Sequence, residues 1–73
     1  MTLMEMSRQY AADAAVFSRR IRYLQQRAAA ERDEEQRRQL LLRIAELRPL
    51  LRQSRAMAYV TAHYYDREEH TNA

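Results

Sequence analysis

One short segment near the end of the chain concentrates the side chains that could do chemistry. AYVTAHYYDREEH, residues 58–70, contains both histidines, three acids and three of the five tyrosines. His63, Asp66 and His70 are separated by three and four residues, so they would share one face of a helix. Imidazole and carboxylate are donor types that zinc and nickel accept, which makes these three residues the candidates for a metal site.

A metal site of this kind would need a second element to complete it. Consecutive ligands on one straight helix rarely converge on a single ion, and metal sites in bundles draw Glu and Glu-x-x-His motifs from facing helices. The chain contains no Glu-x-x-His motif, and a helix end close to a terminus tends to fray. We therefore expect no metal and no cofactor, and His63, Asp66 and His70 are only weak candidates.

Nucleophilic catalysis has no support in the residue types either. A catalytic serine needs a base and an orienting group within hydrogen-bond reach. If the chain folds as a hairpin of two helices, no histidine lies within reach of Ser7, Ser18 or Ser54. The chain also has no glycine with which to build an oxyanion or phosphate-binding loop. We predict that the protein is not an enzyme.

The composition indicates an all-α fold. The chain has 73 residues, no glycine, no cysteine and the single proline Pro49, and it is rich in Ala, Leu, Arg, Glu and Gln. Those are strong helix formers, and a domain of this length has room for one small core. The start MTLMEMSRQY lacks the basic-then-apolar order of a signal peptide. We expect a single cytoplasmic domain without disulfides.

Apolar residues recur at intervals of three and four in two long segments, which indicates two helices. Thr2 and Asp33 each stand three residues before a Glu or Gln, which is the capping-box pattern of a helix start. We predict one helix over about 3–30, a turn over about 31–33 and a second helix over about 34–69. The seam between them would contain Leu3, Met6, Tyr10, Phe17, Ile21, Leu24, Leu40, Ile44, Leu47 and Leu51.

Pro49 falls inside the second predicted helix. A proline removes one backbone hydrogen bond and clashes with the preceding turn, but it also suits the first position of a new helix. The apolar stripe keeps its phase from Leu47 to Leu51, and ELRPLLRQ offers no residues for a reversal. We therefore favour a kinked helix, and the alternative is a three-helix bundle.

A hairpin that turns at residues 31–33 has a defined register. Partner residues then have numbers that sum to about 64, which sets Leu3 opposite Thr61 and Met6 opposite Ala58. The N-terminal start of the first helix lies near the level of His63, so the second helix should extend beyond the first. Residues in that extension have no partner within their own chain.

Two helices cannot surround a core, so apolar residues on their flanks would be left exposed. Packing of two hairpins into a four-helix bundle would bury them, and twofold dimers are the commonest oligomers. We predict a homodimer, a possible coiled-coil assembly in which tyrosines act as anchors. Its interface would contain Val16, Tyr23, Leu41, Leu50, Met57, Val60, Tyr64 and Tyr65.

All thirteen basic side chains are arginine, and they are concentrated in two stretches. Residues 19–27 contain four arginines, and residues 37–55 contain six against the single acid Glu46. A hairpin would place these stretches side by side as a basic belt, which is typical of binding to a phosphate backbone. The candidates for nucleic-acid contact are Arg19, Arg20, Arg22, Arg48, Arg52 and Arg55.

The segment RIAELRPLLRQSRAMAYVTAHYYDR resembles small helical-hairpin proteins of gut Firmicutes, of the kind carried on mobile elements. No activity is attached to that group, so the resemblance implies a fold and no functional residue. It favours an accessory or regulatory protein that acts through protein–protein interaction. The alternative function is that of a small arginine-rich dimer that binds nucleic acid.

Overall fold

The protein is an antiparallel hairpin of two helices. The structure is a computed structural model that describes the backbone of residues 2–72 and the side chains of residues 2–64. Helix α1 (Leu3–Ala30) has 28 residues and helix α2 (Glu34–Asn72) has 39, and the two pack along each other. The predicted all-α hairpin is confirmed, and the described backbone contains two helices rather than the three of the alternative.

Both helices begin at a side-chain cap. The Thr2 hydroxyl accepts a hydrogen bond from the Glu5 backbone N–H at 3.1 Å. One Asp33 carboxylate oxygen accepts from the Glu35 N–H at 3.0 Å. Each bond satisfies a backbone donor that the first turn of a helix would otherwise leave without a partner. The sequence marks both starts because capping depends only on neighbouring residues.

The turn reverses the chain without glycine. Glu31 ends α1 in an extended conformation, φ −80° and ψ 126°, and its N–H donates to the Ala28 carbonyl. Its carboxylate accepts from the Asp33 N–H at 3.1 Å. Its carbonyl accepts from Arg37 Nε and Nη2 at 3.2 and 2.9 Å. No residue of the described backbone has a positive φ. Side-chain hydrogen bonds therefore satisfy the backbone groups that a left-handed glycine satisfies at many helix ends.

The contact between the helices follows a seven-residue repeat. In α1 the seam residues are Leu3, Ser7, Tyr10, Ala14, Phe17, Ile21, Leu24 and Ala28, and in α2 they are Leu40, Ile44, Leu47, Leu51, Ser54, Ala58 and Thr61; all are buried or half-buried. Alternating steps of four and three residues are the a and d positions of a coiled coil. All ten residues predicted for the seam are likewise buried or half-buried.

The half of the seam next to the turn is the apolar core. Ile21, Leu24, Ile44 and Leu47 form a buried cluster, and the partly buried Phe17, Leu40 and Leu51 pack against it. Pairs at the same level have numbers that sum to 64 or 65, for example Ile21 with Ile44. These large side chains account for most of the apolar burial that stabilises the hairpin.

The other half of the seam, toward the open end of the hairpin, consists mostly of small and polar residues, with Leu3 and Tyr10 as large members. Ala14, Ser54 and Thr61 are buried there. The Ser7 hydroxyl donates to the Ala58 carbonyl of the opposite helix at 3.1 Å, which fixes the register within one residue of the predicted sum. The Thr61 hydroxyl donates to the Met57 carbonyl of its own helix at 2.8 Å, so its burial leaves no unpaired donor.

Helix α2 is continuous through Pro49. Pro49 is exposed and lies on the side of α2 that faces away from α1. The carbonyl that lacks a donor because of this proline is that of Ala45, which is also exposed and open to hydration. With 39 residues against 28, α2 runs past the start of α1, as the register predicts. No helix of the described residues is both long enough and apolar enough to cross a membrane.

Leu47→Ala should lower the free energy of unfolding by about 2–4 kcal/mol, because Leu47 is only 5% exposed within the apolar core. Leu42→Ala removes the same atoms from a side chain that is 54% exposed, and it should change stability by less than about 0.5 kcal/mol. Urea unfolding followed by far-UV circular dichroism measures both. Equal losses in the two variants would contradict the assigned seam.

Pro49→Ala should raise the free energy of unfolding by about 1–3 kcal/mol, because it restores the hydrogen bond to the Ala45 carbonyl and removes the ring clash. The same urea titration provides the measurement. A destabilised variant would show that the proline occupies a break in α2 and not a continuous helix.

Candidate functional site

The seam divides the surface of the hairpin into two opposite faces. In each helix the g positions directly precede the a residues, and the e positions directly follow the d residues. Because the helices are antiparallel, the g positions of both helices lie on one side of the seam and the e positions of both lie on the other. The first side, together with the adjoining c positions, is called the apolar face below. The second side, together with the adjoining b positions, is called the basic face.

The apolar face contains most of the exposed large apolar side chains. Its apolar members are Met6, Val16, Tyr23, Leu50, Met57, Val60 and Tyr64. Val16 and Tyr64 are each 54% exposed, and by the register Val16 lies beside Leu50. Six of the eight residues predicted for the dimer interface therefore share this face. Leu41 lies on the basic face instead, and the side chain of Tyr65 is outside the described residues.

The end of the apolar face near the turn is charged. The guanidinium carbons of Arg20 and Arg27 lie 5.4 and 5.9 Å from the centre of the Tyr23 ring, one on each side of it along α1. This is the geometry of a cation–π contact, which holds both arginine side chains close to their own helix. Across the seam, Arg43 Nη1 pairs with a Glu46 carboxylate oxygen at 3.0 Å.

The basic face has a different composition. Its exposed arginines are Arg8, Arg22, Arg38, Arg48, Arg52 and Arg55. Among the described side chains at these positions, the one acid is Glu34, in the first turn of α2. The single ion pair found among residues 2–64 is Arg43–Glu46, which is on the apolar face. The positive charge of the basic face is therefore not neutralised by neighbouring side chains in the described part of the chain.

The fold separates the arginines that the sequence predicts as one nucleic-acid contact. Arg22, Arg48, Arg52 and Arg55 share the basic face. Arg20 is on the apolar face beside Tyr23, and Arg19 points away from the seam on the far side of α1. The prediction also omits Arg8 and Arg38, which the fold places in the same row; the seven-residue phase of each helix is the signal that would have included them.

The arginines of the basic face form a row along the rod. By the register, their order from the open end is Arg8, Arg55, Arg52, Arg48, Arg22 and Arg38. The row covers about 19 residues of helix, which at a rise of 1.5 Å per residue is about 28 Å, or roughly one guanidinium every 5–6 Å. The hairpin is 60 Å long and 17 by 14 Å across, and the row runs along its length with arginines from both helices.

An exposed aromatic pair stands at the open end of this row. Tyr59, which is 72% exposed, stacks on His63 with ring centres 6.0 Å apart and planes within 5° of parallel. Arg55 lies one turn before Tyr59 on the same helix. Of the three weak metal candidates, His63 is the member of this pair. Asp66 and His70 lie outside the residues whose side chains are described, so the expectation that these weak candidates hold no metal stays a prediction.

Protein-family models, curated protein sequences and solved structures were each compared with this chain, and none of them matches. The resemblance to gut Firmicutes proteins therefore stays a prediction, and the function has to be inferred from the two faces of the hairpin.

Proposed function

We propose that the protein is a non-enzymatic cytoplasmic hairpin that associates with a second copy of itself and acts in an accessory or regulatory role through protein–protein contact. The observation that supports this proposal is the apolar face. Val16, Leu50, Val60 and Tyr64 are large, exposed and on one side of the rod. Large exposed apolar residues gathered on one side of a protein are typical of an interaction site.

A second copy is the partner that fits this face best. A two-helix rod has one seam and cannot bury its own flanks, whereas two rods packed face to face form a four-helix bundle with a shared core. A twofold axis would bring each apolar face onto its own equivalent, which makes one set of residues sufficient for both sides. Charged residues also lie on this face, namely Asp13, Arg20, Arg27 and Glu46, and a dimer would have to pair them with opposite charges or keep them hydrated at its rim.

The second candidate function is binding of nucleic acid by the basic face. The observation that favours it is the row of six arginines, beside which Glu34 is the one acid among the side chains of residues 2–64. Arginine makes bidentate contacts to phosphate oxygens and stays charged at every physiological pH. Because the basic face is opposite the apolar face, a dimer formed through the apolar faces would leave both rows of arginines on its outside.

The double variant Val16→Glu with Leu50→Glu should dissociate the dimer. It places two unpaired carboxylates at the centre of the apolar face, where burial of a charge is costly, so we expect the dimer dissociation constant to rise by about a hundredfold or more. Sedimentation velocity over a concentration series measures the change. Both residues are exposed in the single hairpin, so the helix content should be retained.

The matched control is Leu41→Glu with Leu42→Glu, which introduces the same two charges at exposed leucines outside the apolar face. This variant should remain a dimer. A wild-type protein that is a strict monomer at high micromolar concentration would refute self-association. Dissociation of the control, with no effect of the first variant, would assign the interface to another face.

The triple variant Arg48→Gln, Arg52→Gln, Arg55→Gln should bind nucleic acid at least about tenfold more weakly than the wild type at low salt, because three phosphate contacts are lost. It should also reduce the slope of log affinity against log salt by about 2–3. Fluorescence anisotropy of a labelled oligonucleotide, repeated over a salt series, measures both quantities.

Arg19→Gln, Arg20→Gln, Arg27→Gln is the control with the same change in net charge. Since these arginines lie off the basic face, it should bind close to the wild type and keep its salt slope. Equal losses in the two triple variants would show that net charge, and not the basic face, attracts the nucleic acid.

A further inference from the structure

We infer that the basic face binds a single nucleic-acid strand, which lies along the row of arginines and stacks a base on Tyr59. The inference rests on the second function proposed above and names the form of nucleic acid that the face fits. It depends on three features of the described structure: the extent of the row along the rod, the width of the rod and the exposed aromatic pair at the open end.

A row that extends along the rod suits an extended strand better than a duplex. The arginines cover about 28 Å along the rod, and a strand of B-form DNA winds through most of a helical turn of about 34 Å over such a length. It would contact the row at one point and then curve away. A single strand has no such fixed path, and it can stretch beyond the 3.4 Å rise per nucleotide of a duplex strand to follow guanidinium groups spaced by about 5–6 Å.

The rod is also too wide to enter a groove. Its cross-section is 17 by 14 Å, whereas the major groove of B-form DNA is about 12 Å wide and admits one helix. The basic face could therefore touch a duplex only from outside, through the few phosphates nearest to it. This geometry leaves most of the row without a phosphate partner when the ligand is double-stranded.

Tyr59 supplies the contact that a duplex cannot use. Its ring is 72% exposed, is held parallel to the His63 ring and lies one turn from Arg55. Proteins that bind single strands combine a positive track with aromatic side chains on which unpaired bases stack. In a duplex the bases are paired and stacked on each other, so this surface would stay unused.

The same placement argues against a lipid surface as the ligand. A helix that lies on a membrane combines its cations with a broad apolar surface directed into the lipid. Here the apolar residues Val16, Leu50 and Tyr64 lie on the face opposite the arginines, so insertion of one face would turn the other toward solvent. The basic face itself has Met4, Leu41 and Tyr59 as its large exposed apolar side chains among the described residues.

The test compares Tyr59→Ala, Tyr59→Phe and the wild-type protein by fluorescence anisotropy at fixed low salt. The probes are a labelled mixed-sequence single-stranded oligonucleotide long enough to span the row and the duplex formed with its complement. We expect the wild type to bind the single strand at least about tenfold more tightly than the duplex. Tyr59→Ala should weaken single-strand binding by about 5- to 100-fold and leave duplex binding unchanged.

Two controls separate stacking from other effects of the substitution. Tyr59→Phe retains the ring and should bind the single strand as the wild type does. Leu42→Ala removes an exposed apolar side chain that lies outside both faces and should not affect single-strand binding. Unlabelled polyglutamate is an acidic polypeptide with the same sign of charge as the oligonucleotide. It should compete poorly with the labelled single strand, because it has no base that could stack on Tyr59.

Each contrary result has a distinct meaning. Equal affinity for strand and duplex, with no effect of Tyr59→Ala, overturns the single-strand inference and leaves the basic face as a general phosphate site, provided that the triple arginine variant still loses affinity. Efficient competition by polyglutamate overturns it in favour of an acidic protein partner. If neither Tyr59→Ala nor the triple arginine variant loses affinity, both this inference and the nucleic-acid function on which it rests are overturned.

Discussion

The protein depends on a single line of contact between two helices. Every seam residue falls at an a or d position of a seven-residue repeat, which continues without interruption over residues 3–28 of α1 and 40–61 of α2. A larger domain distributes its burial over several interfaces, whereas this one has a single interface to hold the two helices in register. The large side chains near the turn supply most of the apolar burial, and the bond from Ser7 to the Ala58 carbonyl sets the register at the other end.

The absence of glycine shapes how the chain manages its two irregular points. At the turn, the carboxylate of Glu31 and the guanidinium of Arg37 hold backbone groups that a left-handed residue would otherwise satisfy. At Pro49, the helix tolerates a missing donor because the affected carbonyl is on the solvent side. Side chains therefore satisfy the backbone at the turn, whereas solvent exposure leaves the free carbonyl near Pro49 open to hydration.

One seam also means that everything else is surface, and the antiparallel pairing sorts that surface into two faces of opposite character. The apolar face gathers residues from both helices that are too large and too exposed to be ordinary solvated positions, such as Val16 and Leu50. The basic face gathers arginines that are distant in sequence, such as Arg8 and Arg55, at almost the same level of the rod. Two interactions with different chemistry can therefore occupy one small hairpin without competing for the same side chains.

Much of the fold follows from local pattern. Composition predicts helices, Thr2 and Asp33 predict where the helices start, and the interrupted apolar stripe predicts the turn; each of these depends on residues close together in the sequence. The register follows as soon as the turn is placed, and the bond from Ser7 to Ala58 agrees with it within one residue. The sequence also favours a single second helix over a break at Pro49, because the stripe keeps its phase there.

The grouping of surface residues depends on tertiary structure. Periodicity in one helix tells which residues face the seam, but not which flank of one helix adjoins which flank of the other. That choice requires the antiparallel pairing, which brings Arg8 and Arg22 of α1 onto the same face as Arg48, Arg52 and Arg55 of α2. The stacking of His63 on Tyr59 is likewise a matter of side-chain geometry. By itself the sequence determined the two helices and the line along which they meet, because local hydrogen bonding and apolar spacing specify both. Only the packed hairpin decided which charges and which apolar groups share a surface, because residues from two chain directions are brought together there.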